Sequence, residues 1–77
     1  MGLVLVTRKG CHLCEDAERH LRDLGFEPEL ADVDGDDELC RLYDFRVPVV
    51  LVDGKVVAEG VITKSQLETA LGGAGTG

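Results

Sequence analysis

The chain has few basic residues and no long apolar run. It contains 8 Lys and Arg against 15 Asp and Glu, which gives a formal net charge of −7 at pH 7. Nucleic-acid binding needs clustered basic side chains, and an anionic membrane surface repels such a charge, so the composition argues against both partners. No segment approaches the roughly 20 apolar residues of a membrane span. The N-terminus lacks a basic region followed by a long apolar stretch, so no signal peptide is predicted.

Cysteine is also scarce. The three cysteines are an odd number and are fewer than a secreted domain held together by disulfides contains. This count indicates a reducing setting, so we expect a cytoplasmic protein.

The length of 77 residues limits the chain to one domain, because it suffices for about one sheet covered by a few helices. We assign this domain to residues 1–72. The glycine-rich tail at 73–77 is expected to be disordered.

Hydrophobic periodicity predicts the first elements. The apolar run at 3–7 is typical of a strand buried on both faces, and the apolar spacing over 11–24 indicates an amphipathic helix. A weaker strand over 26–33 contains Pro28, which suits a sheet edge. A short helix should follow, with Asp36 as its N-cap.

The strongest local signal is a β-hairpin over 47–58, with a two-residue turn at Asp53-Gly54. Thr63-Lys64-Ser65-Gln66 has the form of a capping box, which predicts a last helix over 64–71. The resulting order of elements is β-α-β-α-β-β-α.

Two cysteines lie where the first predicted strand turns into the first helix. Cys11 and Cys14 are three residues apart, and at a helix start this spacing suits a disulfide, with Cα atoms about 5–6 Å apart. The helix N-terminus favours the thiolate of Cys11, and Arg8 and Lys9 precede it closely. Cys14 falls on the apolar face and should be the more buried thiol. Because a thiolate is the attacking species in disulfide exchange, the motif predicts dithiol chemistry.

The order of elements resembles the thioredoxin fold, and within it the small glutaredoxin-like proteins. The motifs that carry the resemblance are Thr7-Arg8-Lys9-Gly10-Cys11-His12-Leu13-Cys14, Asp32-Val33-Asp34, Arg46-Val47-Pro48-Val49 and Asp53-Gly54. The resemblance covers residues 3–71 and implies an α/β fold with a four-stranded mixed sheet and three helices. It also implies a thiol-disulfide oxidoreductase without a bound cofactor, in which Cys11 is the nucleophile and Cys14 resolves the mixed disulfide.

The resemblance further implies that Pro48 is in a cis peptide bond that faces the dithiol, where the backbone of Val47 pairs with a bound peptide or glutathione. The alternative is a proline that begins a strand in an ordinary trans bond. A protonated His12 would favour the Cys11 thiolate, whereas the same side chain can equally be solvated, and both interpretations stay open. The predicted substrate-binding residues are Arg8, Lys9, His12, Val47 and Pro48.

The expected substrates are disulfide-containing proteins or small thiol compounds, acted on by a monomer. Glutathione or a donor of the thioredoxin-reductase type would reduce the Cys11–Cys14 disulfide. Residues 58–63 lack the Gly-Gly-Asp-like segment that holds the glutathione carboxylate in typical glutaredoxins, so weak glutathione use is predicted. The dipeptide His12-Leu13 replaces the usual Pro-Tyr and leaves the reduction potential open.

The main alternative is a binding module whose cysteines hold a metal or a partner protein without turnover. Cys11, Cys14, Cys40 and a histidine are conceivable ligands of a tetrahedral zinc ion. The sequence has no second C-x-x-C or paired-histidine motif, which favours dithiol chemistry. We interpret Cys40 as a structural or bystander thiol. The acidic clusters at 15–18 and 36–38 are interpreted as solvated surface, with a charge-steered protein partner as the alternative.

Overall fold

A computed structural model describes residues 2–71, which form four strands and three α-helices in the predicted order. The strands are β1 (Leu3–Thr7), β2 (Glu29–Asp32), β3 (Val49–Val52) and β4 (Lys55–Glu59). The helices are α1 (His12–Asp23), α2 (Asp37–Tyr43) and α3 (Lys64–Ala70). No helix within this part of the chain has the length and apolarity that crossing a bilayer requires. The predicted tail at 73–77 lies outside the described residues.

The sheet is mixed, with the strand order β2-β1-β3-β4. β1 is central, because it pairs in parallel with β2 and antiparallel with β3. β2 lies at an edge and directly follows Pro28, whose missing N–H does no harm there, as predicted. The strand is shorter than the predicted 26–33. It ends at Asp32, whose side chain accepts a hydrogen bond from the Asp34 N–H at 2.9 Å, and a 3₁₀ turn (Val33–Gly35) follows.

Alternating residues of the strands supply two cores, one on each face of the sheet. One face of β1 and β3 packs against α1 and α3, and the other packs against the 3₁₀ turn and α2. The buried residues of the first core are Leu3, Leu5, Ala17, Leu21, Val50, Ile62, Leu67 and Leu71. Those of the second are Val6, Val33 and Val49, with Leu39, Cys40, Tyr43 and Val47 among the residues that pack against them. This arrangement confirms the prediction that the first strand is buried on both faces.

The hairpin forms as predicted. Asp53 and Gly54 both have positive φ angles, 51° and 84°, as a type I′ turn requires. β3 begins at Val49 rather than at residue 47, because Pro48 has no N–H with which to continue the ladder. A register shift after Val50 inserts one extra residue into β4.

The predicted helix caps are also confirmed. The Asp36 carboxylate accepts from the N–H groups of Glu38 and Leu39 at 2.9 and 3.1 Å. Thr63 and Gln66 exchange hydrogen bonds of 3.0 and 3.1 Å in a capping box. α3 ends at Ala70, one residue before the predicted end.

Candidate functional site

The antiparallel pairing of β1 and β3 brings the two predicted halves of the site to one end of the sheet. Val6 pairs with Val49, so the loop that leaves β1 and the loop that enters β3 lie side by side. The first loop leads to Cys11, and the second contains Val47 and Pro48. The Val47–Pro48 peptide bond is cis, which confirms the expectation from the resemblance.

Cys11 is the N-cap of α1 and is partly exposed. Its Sγ accepts a hydrogen bond from the backbone N–H of Cys14 at 3.2 Å. Its own N–H donates to the carbonyl of Arg8 at 3.3 Å, which closes the loop between β1 and the helix. Because the first N–H groups of a helix have no partner within the helix, one of them is available to Cys11. The first cysteine therefore occupies the position predicted for the attacking sulfur.

Cys14 lies one turn further along α1 and is only 1% exposed, which confirms that it is the more buried thiol. Burial raises the pKa of the Cys14 thiol, and its hydrogen bond with Cys11 raises the pKa further. The Thr7 side chain and the Arg8 backbone act in the opposite direction and lower this pKa, but the net shift is upward. Cys14 therefore holds its proton more firmly than an ordinary exposed thiol does.

We expect iodoacetamide to alkylate Cys11 faster than Cys14 at pH 7, because Cys11 is accessible at the helix start whereas burial raises the pKa of the Cys14 thiol. Cys14 is also shielded from the reagent, so its labelling should need a higher pH than that of an ordinary exposed thiol. Mass mapping of labelled peptides across pH measures both rates, with Cys40→Ser removing the third thiol. Faster labelling of Cys14 would reverse the two roles.

Arg8 is held by two carboxylates from distant parts of the chain. Its Nε and Nη2 donate to the two oxygens of Asp34, each at 2.9 Å. Nη1 donates to the backbone carbonyl of Asp44 at 3.2 Å, and Nη2 also bonds the Asp44 carboxylate. The hydrogen bonds with Arg8 lower the pKa of Asp34. The Arg8 charge, predicted from the sequence to support the Cys11 thiolate and to bind substrate, is thus balanced by Asp34 and Asp44.

The other predicted substrate-binding residues differ in their exposure to solvent. Lys9 is exposed. The His12 side chain is 96% exposed, and its Nδ1 lies 3.5 Å from a carboxylate oxygen of Glu15. Val47 is half-buried against the second core, and Pro48 is buried. Their roles in substrate binding stay predictions.

Cys40 lies beside two carboxylates rather than beside the dithiol. Within residues 2–71, the donor atoms of Asp34, Cys40 and Asp44 lie within 4.8 Å of one another, whereas neither cysteine of the C-x-x-C motif joins such a group of three. The zinc ligand set considered from the sequence, with Cys40 beside Cys11 and Cys14, is therefore not brought together. Arg8 bonds both carboxylates of the group, so a cation would have to displace it.

The comparisons with known proteins agree with this arrangement. The model of the Glutaredoxin-like domain (DUF836) matches residues 2–72. The structure of protein XcR50 from X. campestris is similar, with a TM-score of 0.80 and 28% identity over 90% of this chain and 93% of that chain. The solution structure of protein Ne2328 from Nitrosomonas europaea has a TM-score of 0.75 and 36% identity over 87% of this chain and 86% of that one. No curated protein matches the sequence.

Proposed function

Because this chain belongs to the family of glutaredoxin-like domains and has a thioredoxin-like fold, we propose that it is a thiol-disulfide oxidoreductase. The Cys11 thiolate attacks one sulfur of a substrate disulfide and forms a mixed disulfide, and the second substrate sulfur leaves as a thiolate that takes up a proton. Cys14 then loses its proton and attacks Cys11 Sγ, which releases the first substrate sulfur. The dithiol passes two electrons to the substrate and ends as a Cys11–Cys14 disulfide, which an external donor reduces.

The observation that best supports this proposal is the asymmetry of the two thiols. Cys11 is accessible at the helix start, whereas Cys14 is buried behind it with its N–H 3.2 Å from Cys11 Sγ. A substrate disulfide can therefore reach the first sulfur but not the second. The Thr7 side chain and the Arg8 backbone, which lower the pKa of Cys14, are placed to stabilise its thiolate during the second step.

The test of this function needs no knowledge of the natural donor. Chemically reduced protein is mixed with excess insulin, and the oxidation of the dithiol is followed by mass spectrometry of the alkylated protein. We expect one disulfide between Cys11 and Cys14 for each insulin disulfide reduced. A protein that stays reduced would contradict the proposal. Stoichiometric zinc in protein purified without added metal, with the thiols protected from titration, would favour the binding module instead.

We expect reduced glutathione to bind weakly. Two carboxylates balance the Arg8 charge, and Glu59, in the segment that replaces the usual carboxylate-binding residues, pairs with Arg46. A carboxylate without a charged or helix-terminal partner loses about 1.5–3 kcal/mol, or roughly ten- to a hundredfold in affinity.

The measurement is an NMR titration of reduced glutathione into the Cys14→Ser variant. Weak binding predicts shifts that do not saturate below millimolar concentration. Saturation in the micromolar range, with shifts at Val47 and Arg8, would instead identify glutathione as the donor. The insulin reduction assay, run in parallel with glutathione and with thioredoxin reductase, compares the two classes of donor.

We place the activity in the cytoplasm, whose reducing setting suits the three free cysteines.

A further inference from the structure

Phe45 is the most exposed large apolar side chain of residues 2–71. It is 97% exposed, whereas the next, Val61, is 67% exposed. Burying a Phe side chain contributes about 1.5–3 kcal/mol, so the fold leaves this contribution unused. An aromatic side chain in water is the kind of residue that anchors a protein partner.

The backbone on both sides of Phe45 is held in place. Asp44 bonds Arg8 through its carboxylate and its carbonyl, and its N–H donates to the carbonyl of Cys40 at 2.9 Å. The Arg46 N–H donates to the carbonyl of Tyr43 at 2.9 Å. The Arg46 guanidinium bonds Glu59 and lies 5.4 Å from the centre of the Tyr43 ring. Phe45 therefore projects from a turn that two ion pairs fix.

This turn lies at the same end of the sheet as the dithiol. Arg8 links the two, because its side chain bonds Asp44 while its carbonyl accepts from the Cys11 N–H at 3.3 Å. Phe45 is also three residues before Pro48, whose carbonyl accepts from the Gly60 N–H at 2.9 Å.

Two further exposed apolar side chains lie on segments at this end. Leu13, between the two cysteines, is 42% exposed, and Val61, next to Gly60, is 67% exposed. We call Leu13, Phe45 and Val61 the apolar rim.

The charges at this end of the sheet complement a basic partner. The 3₁₀ turn and the start of α2 follow the end of β2, which is parallel to β1 and ends beside it. They supply the exposed carboxylates of Asp34, Asp36, Asp37 and Glu38. Arg8 offsets one of the two charges of Asp34 and Asp44, and the exposed Lys9 offsets another, so carboxylates stay in excess at this end.

We propose that the apolar rim docks the protein substrate and selects disulfides in basic segments that have an apolar side chain beside the cysteine. The inference deepens the proposed function and rests on it. Phe45 supplies the anchor for the apolar side chain, and the acidic residues attract the basic one. Glutathione is a net anion without an apolar side chain, so neither feature favours it. The electron transfer is the exchange already described, with the substrate disulfide reduced and the Cys11–Cys14 pair oxidised.

The test compares Phe45→Ser with the matched control Leu30→Ser. Leu30 is 47% exposed and lies in the edge strand β2, outside the rim. Two peptides with one internal disulfide are used, one with Leu and Arg beside each cysteine and one with Ser and Glu. Hydroxyethyl disulfide, which has no flanking residues, reports the dithiol chemistry alone.

With chemically pre-reduced protein in a single turnover, we expect Phe45→Ser to lower the second-order rate constant for reduction of the Leu/Arg peptide about tenfold, as loss of a docking contact does. The rates with hydroxyethyl disulfide and with the Ser/Glu peptide should stay unchanged, and Leu30→Ser should match the wild type on all three. An unchanged rate with the Leu/Arg peptide, or an equal loss on all substrates, would overturn the docking role alone. A wild-type protein inactive even on hydroxyethyl disulfide would overturn the proposed function as well.

Discussion

Cys11→Ser should abolish the reduction of protein disulfides, with a loss on the order of a thousandfold or more. A serine hydroxyl stays protonated at neutral pH and does not form the sulfur–sulfur bond through which exchange proceeds. Cys14 cannot take over the attack, because it is 1% exposed and burial raises its pKa. The measurement is the single-turnover reduction of insulin by pre-reduced protein.

Cys14→Ser should behave differently, because it removes only the second step. Cys11 keeps its place as the N-cap of α1, where its Sγ accepts from the backbone N–H of residue 14. That hydrogen bond does not depend on the side chain at position 14, so attack continues while resolution stops. The expected result is a mixed disulfide at Cys11 that accumulates with the substrate and is visible on a non-reducing gel.

The matched control is Cys40→Ser, which also replaces a thiol by a hydroxyl. Cys40 lies with Asp34 and Asp44 rather than with the dithiol, so this variant should reduce insulin at the wild-type rate. Circular dichroism confirms that each variant is folded. Equal residual activity in the Cys11 and Cys14 variants would remove the proposed division of roles, because that division depends on their asymmetry.

The features that the sequence predicted well are those encoded within a few residues. The Asp53-Gly54 turn, the Asp36 cap and the capping box of Thr63 and Gln66 each depend on neighbours at most three positions away. The apolar run of β1 predicted a strand buried on both faces, and the structure places that strand inside the sheet. The position of Cys11 at a helix start followed from the same local signals.

The surroundings of the dithiol depend on contacts between distant residues and could not be predicted in this way. Arg8 is 26 residues from Asp34 and 36 from Asp44, so only the pairing of β1 with β2 and the packing of α2 bring the three together. Asp34 stood in a motif that carried the resemblance, but no role followed for its carboxylate. The exposure of Phe45 was equally hidden, since an aromatic residue between Asp44 and Arg46 is compatible with either burial or solvent.

Leu21→Ala should lower the free energy of unfolding by about 2–5 kcal/mol. Leu21 is fully buried in the first core, between α1, α3 and the sheet, and the truncation leaves a cavity that the packed neighbours fill only partly. A domain of 77 residues has a total stability on the order of 4–12 kcal/mol. The loss is therefore a large share of what holds α1, and with it Cys14, against the sheet.

Leu30→Ala provides the control, because the same atoms are removed from a side chain that is 47% exposed, and its effect should be about 0.5 kcal/mol or less. Urea unfolding of the reduced proteins measures both, and an unchanged slope with a lower midpoint identifies a loss of native-state stability. Insulin reduction by Leu21→Ala, measured where the variant is still folded, should match the wild type, because the groups around Cys11 are left intact. Slower insulin reduction by the fully folded variant would show that the packing of α1 also sets the position of the two sulfurs.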